Sequence, residues 1–239
     1  MADTSARKPR RPQTDRAARV YSKQHDLIVT GRIPPGARIT EAGVSARLGV
    51  SRTPVREAIQ RLQYEGYVTV PDHARRGQPV TAPLTLDDAR HLMRIIGALE
   101  GVAAFNAAQL EDKPRGHLVV RLRAINDSLR AASRSIPPNN SLLYGLDREF
   151  HRTYVEAAGG CRLVQLHRSI KPHVERYGRF YVNILLNRLQ TTIREHAAVI
   201  RAIAAGQPAR AERAVETNWR NAARSLEQII TSDGERGGW

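Results

Sequence analysis

"GVSRTPVREAIQRLQYEGYV", residues Gly49 to Val68, decides the N-terminal fold. Ser51 and Thr53 bracket Arg52, Pro54 sits where the first turn of a helix tolerates proline, and an apolar period then starts with Val55, Ile59 and Leu62. This predicts a helix from about Thr53 to Glu65, ended by Gly66. Just upstream, Thr40 is a candidate N-cap for a short helix over about 41–48, and Gly49 makes the turn between the two helices. Helix, tight turn and second helix form a helix-turn-helix, with Leu48, Val50, Val55, Ile59 and Leu62 as its apolar seam.

In such a motif the second helix enters the major groove of DNA, its N-terminal residues meeting base edges and phosphates. Arg52 and Arg56 stand four residues apart, on one face of the helix start. A guanidinium fork can grip a guanine edge or a phosphate. Ser51 and Thr53 are short donors suited to phosphate oxygens, and the helix N-terminus adds its own attraction for anions. A strand "YVTV", a turn and a return strand "QPVTA" follow, making a hairpin wing with Arg75, Arg76 and Gly77 at its tip. The bland alternative is that Ser51 is only a cap and that Arg56 pairs with Glu57 or Glu65 on a solvated face.

Outward from this stretch, "GRIPPGARI" ends a first helix expected over Asp15 to Thr30, and the residues before it, 1–14, read as a disordered basic tail. The whole chain has 239 residues, 38 Lys+Arg against 23 Asp+Glu, and a formal net charge of +15. That excess points to a polyanionic partner. Apolar residues make up 41%, which supports real cores. No apolar run approaches the roughly 18 residues that would cross a bilayer, so no membrane partner is expected. The lone cysteine, Cys161, excludes a disulfide framework and a thiolate zinc cluster, and a reducing cytoplasm is the simplest compartment.

Beyond Pro83 the pattern turns wholly helical, with helices expected near 85–110, 114–134, 140–158, 161–186, 188–205 and 208–231, and a kink at Pro172. The expected fold is therefore mostly α: a winged helix-turn-helix over 15–80, then an all-helical bundle of six to seven helices over 84–231. "LYGLDREFHRTYVEAAGG" puts Asp147 and His151 on one helical face, beside the apolar Leu143, Leu146 and Phe150. His196 shares a stripe with Ile193, Ile200 and Ile203, and Asn218 shares one with Val215, Ala222 and Ile229, so both are expected inside the bundle. A carboxylate, two imidazoles and an amide converging in a bundle core could hold a divalent transition metal such as zinc, nickel or manganese. Alternatively, these groups satisfy each other by hydrogen bonding. His25, His73, His91, His117, His167 and His173 show no such clustering and read as surface or packing residues.

Residues 15–80 closely resemble the winged helix-turn-helix of GntR-family bacterial transcription regulators, and 85–231 resemble the FCD ligand-sensing domain of that family's FadR-type branch. The resemblance implies that Ser51, Arg52, Thr53 and Arg56 contact operator DNA, with the wing around Gly77 in the minor groove. It also implies a metal held by Asp147, His151 and His196, with Asn218 where a further histidine is usual. Ala42 stands near a place where many members carry a DNA-contacting arginine, and Ile96 where an arginine often holds a ligand carboxylate. Arg94 is close by in sequence, though about 200° round the helix from Ile96. The family's implied behaviour is that of a homodimeric regulator, most commonly a repressor, whose operator binding responds to a small effector. An organic acid is the default effector, with Asn218 and Arg94 as candidate contacts. A metal-dependent hydrolase and a sequence-blind DNA binder are the alternatives. The hydrolase lacks a separate general base, a phosphate loop and a nucleophile arrangement, and it leaves the N-terminal motif unexplained.

Overall fold

The computed structural model describes residues 13–71, 77–181 and 183–238, side chains at 13–14 and 183–184 excepted. Residues 1–12 of the expected tail, and Arg75 and Arg76 of the expected wing tip, lie outside the described residues. Residues 13 and 14, also assigned to the tail, already belong to the first helix. The chain divides into two compact units, one of residues 1–83 with 236–239 and one of 84–235.

The first unit holds α1 (Gln13–Val29), α2 (Glu41–Leu48) and α3 (Arg52–Tyr64), then a two-stranded antiparallel sheet of β1 (Val68–Thr69) and β2 (Val80–Thr81). The Thr40 hydroxyl accepts from Gly43 N and opens α2. Gly49 closes α2 at φ 62°, a left-handed conformation that glycine adopts without strain, and α3 starts only three residues later. Val20, Ile28, Val44, Val55, Ile59, Leu62 and Tyr67 form one buried cluster, with Leu48 and Val50 packed at its edge. The expected strands shrink to two residues each, paired Val68 to Thr81 and Thr69 to Val80.

The second unit is a bundle of α4 (Leu86–Ala108), α5 (Asp112–Ala132), α6 (Asn140–Ala158), α7 (Gly160–Phe180), α8 (Asn183–Ala204) and α9 (Pro208–Asp233). Helix α4 packs against α6, α7, α8 and α9, which explains its small, apolar composition. Ala103 faces this core and is fully buried. A correction concerns the end of α7, which contains Pro172: the helix stops at Phe180 rather than near 186. Tyr181 leaves the helical region at φ −117°, ψ 61°, its ring buried and its hydroxyl donating to Gly234 O at 3.0 Å. With neither Gly nor Pro in "RFYVNILL", that tertiary bond has no local signal.

Gly97 lets α4 and α9 approach closely: a Cβ built there would lie 3.0 Å from Trp219 Cβ. Gly97→Val must displace Trp219 or part the helices. The expected result is a loss of about 1–3 kcal/mol of stability, read as a lower thermal midpoint by circular dichroism. An unchanged midpoint would mean that the two helices separate freely.

Candidate functional sites: an exposed basic helix start and a buried histidine–carboxylate centre

At the start of α3, Ser51, Arg52, Thr53 and Arg56 are all exposed, while Pro54, Val55, Ala58 and Ile59 are buried beneath them. The apolar period therefore seats the helix and turns its cationic face outward. Ser51 occupies the N-cap position, yet its side chain makes no capping bond, so the hydroxyl is not spent on the helix. Arg56 finds its partner on α2. Its Nε donates to Glu41 Oε1 at 2.7 Å and its Nη2 to Glu41 Oε2 at 3.0 Å, a forked pair between α2 and α3. Glu65 is taken by Arg61 at 2.9 Å and by the Tyr21 hydroxyl. The fork holds the Glu41 carboxyl below the usual carboxylate range and fixes the Arg56 guanidinium at the protein surface. Gly77 is exposed at φ 54° and follows the wing residues that lie outside the description.

Within the bundle, one ligand atom each of Asp147, His151 and His196 lies within 4.8 Å of the others. Asp147 and His151 come from α6 and His196 from α8. His196 is fully buried, and its ring stacks on Phe150 with centroids 3.8 Å apart and planes 8° apart. Its Nε2 is 3.5 Å from Asp147 Oδ1, and neither ring nitrogen has a hydrogen-bond partner among the described residues. Burial, with His151 and Arg188 adding to it, pushes the imidazole well below its usual pKa and keeps it neutral. A buried, neutral, unpartnered imidazole is costly as mere packing and suited as a metal ligand. The donor set of one carboxylate and two imidazoles fits a zinc-, nickel- or manganese-type ion.

Asn218 is buried on α9, as its stripe predicts. Its Nδ2 donates to Glu195 Oε2 at 2.8 Å, which leaves Oδ1 as the atom with acceptor capacity. Glu195 also accepts from Arg188 at 2.7 Å and from Asn221 at 2.7 Å. Arg94, a candidate effector contact, is exposed on α4 whereas Ile96 is fully buried, so Arg94 does not join the buried group.

Sequence reading missed the most connected group here. Glu100 on α4 is fully buried, and its carboxylate accepts bonds from His151, Tyr154, His167, Lys171 and Trp219. His167 is therefore no stray surface or packing residue. It is buried, with Nε2 2.8 Å from Glu100 Oε1. Lys171 Nζ lies 3.1 Å from the same oxygen and 4.5 Å from the Trp219 ring centroid. Burial raises the Glu100 carboxyl, but Lys171 and His151 more than offset this and hold it well below the usual range. The available signals were a lone acid in "IIGALEGVAA" and the four-residue spacing of His167 and Lys171.

Comparison with known proteins covers both regions. Residues 16–77 match the family model "Bacterial regulatory proteins, gntR family", and residues 91–221 match the FCD domain. An uncharacterised HTH-type transcriptional regulator of Agrobacterium vitis is 32% identical over 144 residues, 60% of this chain and 81% of that protein. A probable D-xylose utilisation operon transcriptional repressor of Paenarthrobacter nicotinovorans is 28% identical over 205 residues, 82% of this chain and 84% of its own. Among solved structures, a GntR transcriptional regulator from Rhodococcus sp. RHA1 shares the fold with a TM-score of 0.66 at 24% identity, over 91% of this chain and 99% of that one.

Proposed function

Because the chain belongs to the GntR family of bacterial regulatory proteins and carries their FCD domain, we propose that it is a sequence-specific repressor that a small effector in its helical unit controls. It is a transcription regulator, not an enzyme. The observation that carries the reading is the exposed cationic start of α3, with Ser51, Arg52, Thr53 and Arg56 outward above a buried apolar seam. These four residues contact operator bases and phosphates, and the wing of Arg75, Arg76 and Gly77 reaches the neighbouring groove. Repression is supported by the relative from Paenarthrobacter nicotinovorans, itself a probable transcriptional repressor. The site of action is cytoplasmic DNA.

In the helical unit Asp147, His151 and His196 hold a divalent transition metal, and the Asn218 Oδ1 contacts the effector. The metal supplies a Lewis-acidic anchor suited to an organic acid. Effector and DNA are linked through states that bind each differently.

The working species is a homodimer, since one winged domain makes few base contacts and a two-fold site doubles them. Helix α4 supports this: Ile95, Ala98, Val102 and Phe105 recur at three- and four-residue spacing, and Ile95 and Val102 are each 44% exposed. Val102→Asp is expected to move the protein from about twice its 26.6 kDa chain mass to that mass in sedimentation. A dimer that survives the change would remove α4 from the interface.

Selection of bound duplexes from random DNA tests the main reading. Titration at fixed salt should then separate the selected duplex from bulk DNA by about 1,000-fold or more. A ratio near one would favour a sequence-blind binder. An organic acid that raises the thermal midpoint should also change affinity for the selected duplex.

A further inference from the structure

We propose that Glu100 is the positioning residue of the metal centre: its carboxylate locks His151 in the tautomer that leaves Nε2 to ligate. The inference rests on the metal-binding reading above. Glu100 Oε2 lies 2.6 Å from His151 Nδ1, and it accepts from the Tyr154 hydroxyl at 2.9 Å and from Trp219 Nε1 at 2.7 Å. Oε1 lies 2.8 Å from His167 Nε2 and accepts from Lys171 Nζ at 3.1 Å. The donors come from α6, α7 and α9, so the carboxylate cannot turn without breaking bonds to several helices.

A lone pair on Nδ1 would face a carboxylate oxygen at 2.6 Å and be repelled, so Nδ1 carries the proton. The Tyr154 oxygen, 2.9 Å from the same nitrogen, is the hydroxyl that already donates to Glu100, so it too can only accept from Nδ1. With the Nδ1 hydrogen directed at Glu100, Nε2 is the ring nitrogen left to ligate. A carboxylate behind a ligating histidine fixes ring orientation and raises ligand basicity. Lys171 balances the Glu100 charge, so holding the histidine does not make the carboxylate compete as a ligand. Packing alone would favour an apolar residue at this fully buried place, because burying a charge costs more than filling the volume. His196, with neither nitrogen bonded, has no such holder, so the centre combines one pre-oriented histidine with one free one.

The test is nickel titration calorimetry on the full-length protein and its variants, alongside the absorption spectrum with cobalt. Glu100→Gln is expected to weaken nickel binding by about 10- to 100-fold and to shift the cobalt bands. Tyr154→Phe removes one bond to the same oxygen. It should weaken nickel in the same direction by a smaller factor, and it decides the matter if Glu100→Gln does not fold. A purely structural Glu100 would lower the thermal midpoint of the metal-free protein while leaving nickel affinity and cobalt bands unchanged, and that result overturns the inference. If the unmutated protein takes up no nickel, zinc or manganese, the metal-binding reading fails and the positioning role fails with it. Uptake by the unmutated protein with equal affinity in both variants sinks the positioning role alone.

Discussion

Arg52→Ala and Arg56→Ala each lower affinity for the selected duplex by about 10- to 100-fold, the loss expected when a forked arginine contact to a base edge disappears. Both side chains are exposed, so circular dichroism and thermal midpoint should stay at the values of the unmutated protein. Arg56 carries a further expectation because it is already held by Glu41. Glu41→Gln keeps the size but loses the ion pair, and if Arg56 reads a base it should relax discrimination there without removing binding. Fluorescence anisotropy over a salt series separates the roles. A base-reading arginine changes the ratio between selected and mismatched duplexes, whereas a phosphate contact lowers all affinities together and flattens the salt dependence. Full affinity in either alanine variant would take the start of α3 out of the recognition surface.

The second large effect is expected in the bundle. Purified without chelator or nickel column, the protein should carry about one transition metal per chain by elemental analysis. Asp147→Ala or His196→Ala should weaken binding by more than about 100-fold, beyond the loss typical of changes behind the ligands. Asn218→His should strengthen it. The Asn218 amide nitrogen already donates to Glu195, so a ring at that place finds a carboxylate in waiting, much as His151 finds Glu100. An empty centre that stays empty after zinc, nickel and manganese are added would mean that Asn218 accompanies a metal-free pocket. The effector would then be held by hydrogen bonds to Asn218 Oδ1 and His196. An unchanged metal affinity in Asn218→His would mean that this side chain does not reach the ion.

Much of the architecture was legible because it repeats locally. The seam of Val55, Ile59 and Leu62, the inward stripe of Ile193, His196, Ile200 and Ile203, and the turn at Gly49 follow from helical period and one left-handed glycine. The same period put Asp147 and His151 on one face, and that face lies toward His196. The end of α7 at Tyr181 was not legible, because no Gly or Pro marks it and the Tyr181 hydroxyl bonds to Gly234, 53 residues away in the chain.

The sequence by itself therefore determined the inward stripes around Ile59 and His196 and the cationic start of α3, since these depend on neighbours three or four places away. Only the tertiary structure decided what those residues meet. Glu100 joins His151, His167 and Trp219 across 51, 67 and 119 residues of chain, and Arg56 finds Glu41 across 15. No periodic pattern spans such separations. The pairings arise because a buried carboxylate must collect donors from whichever helices the packing of α4 brings against it.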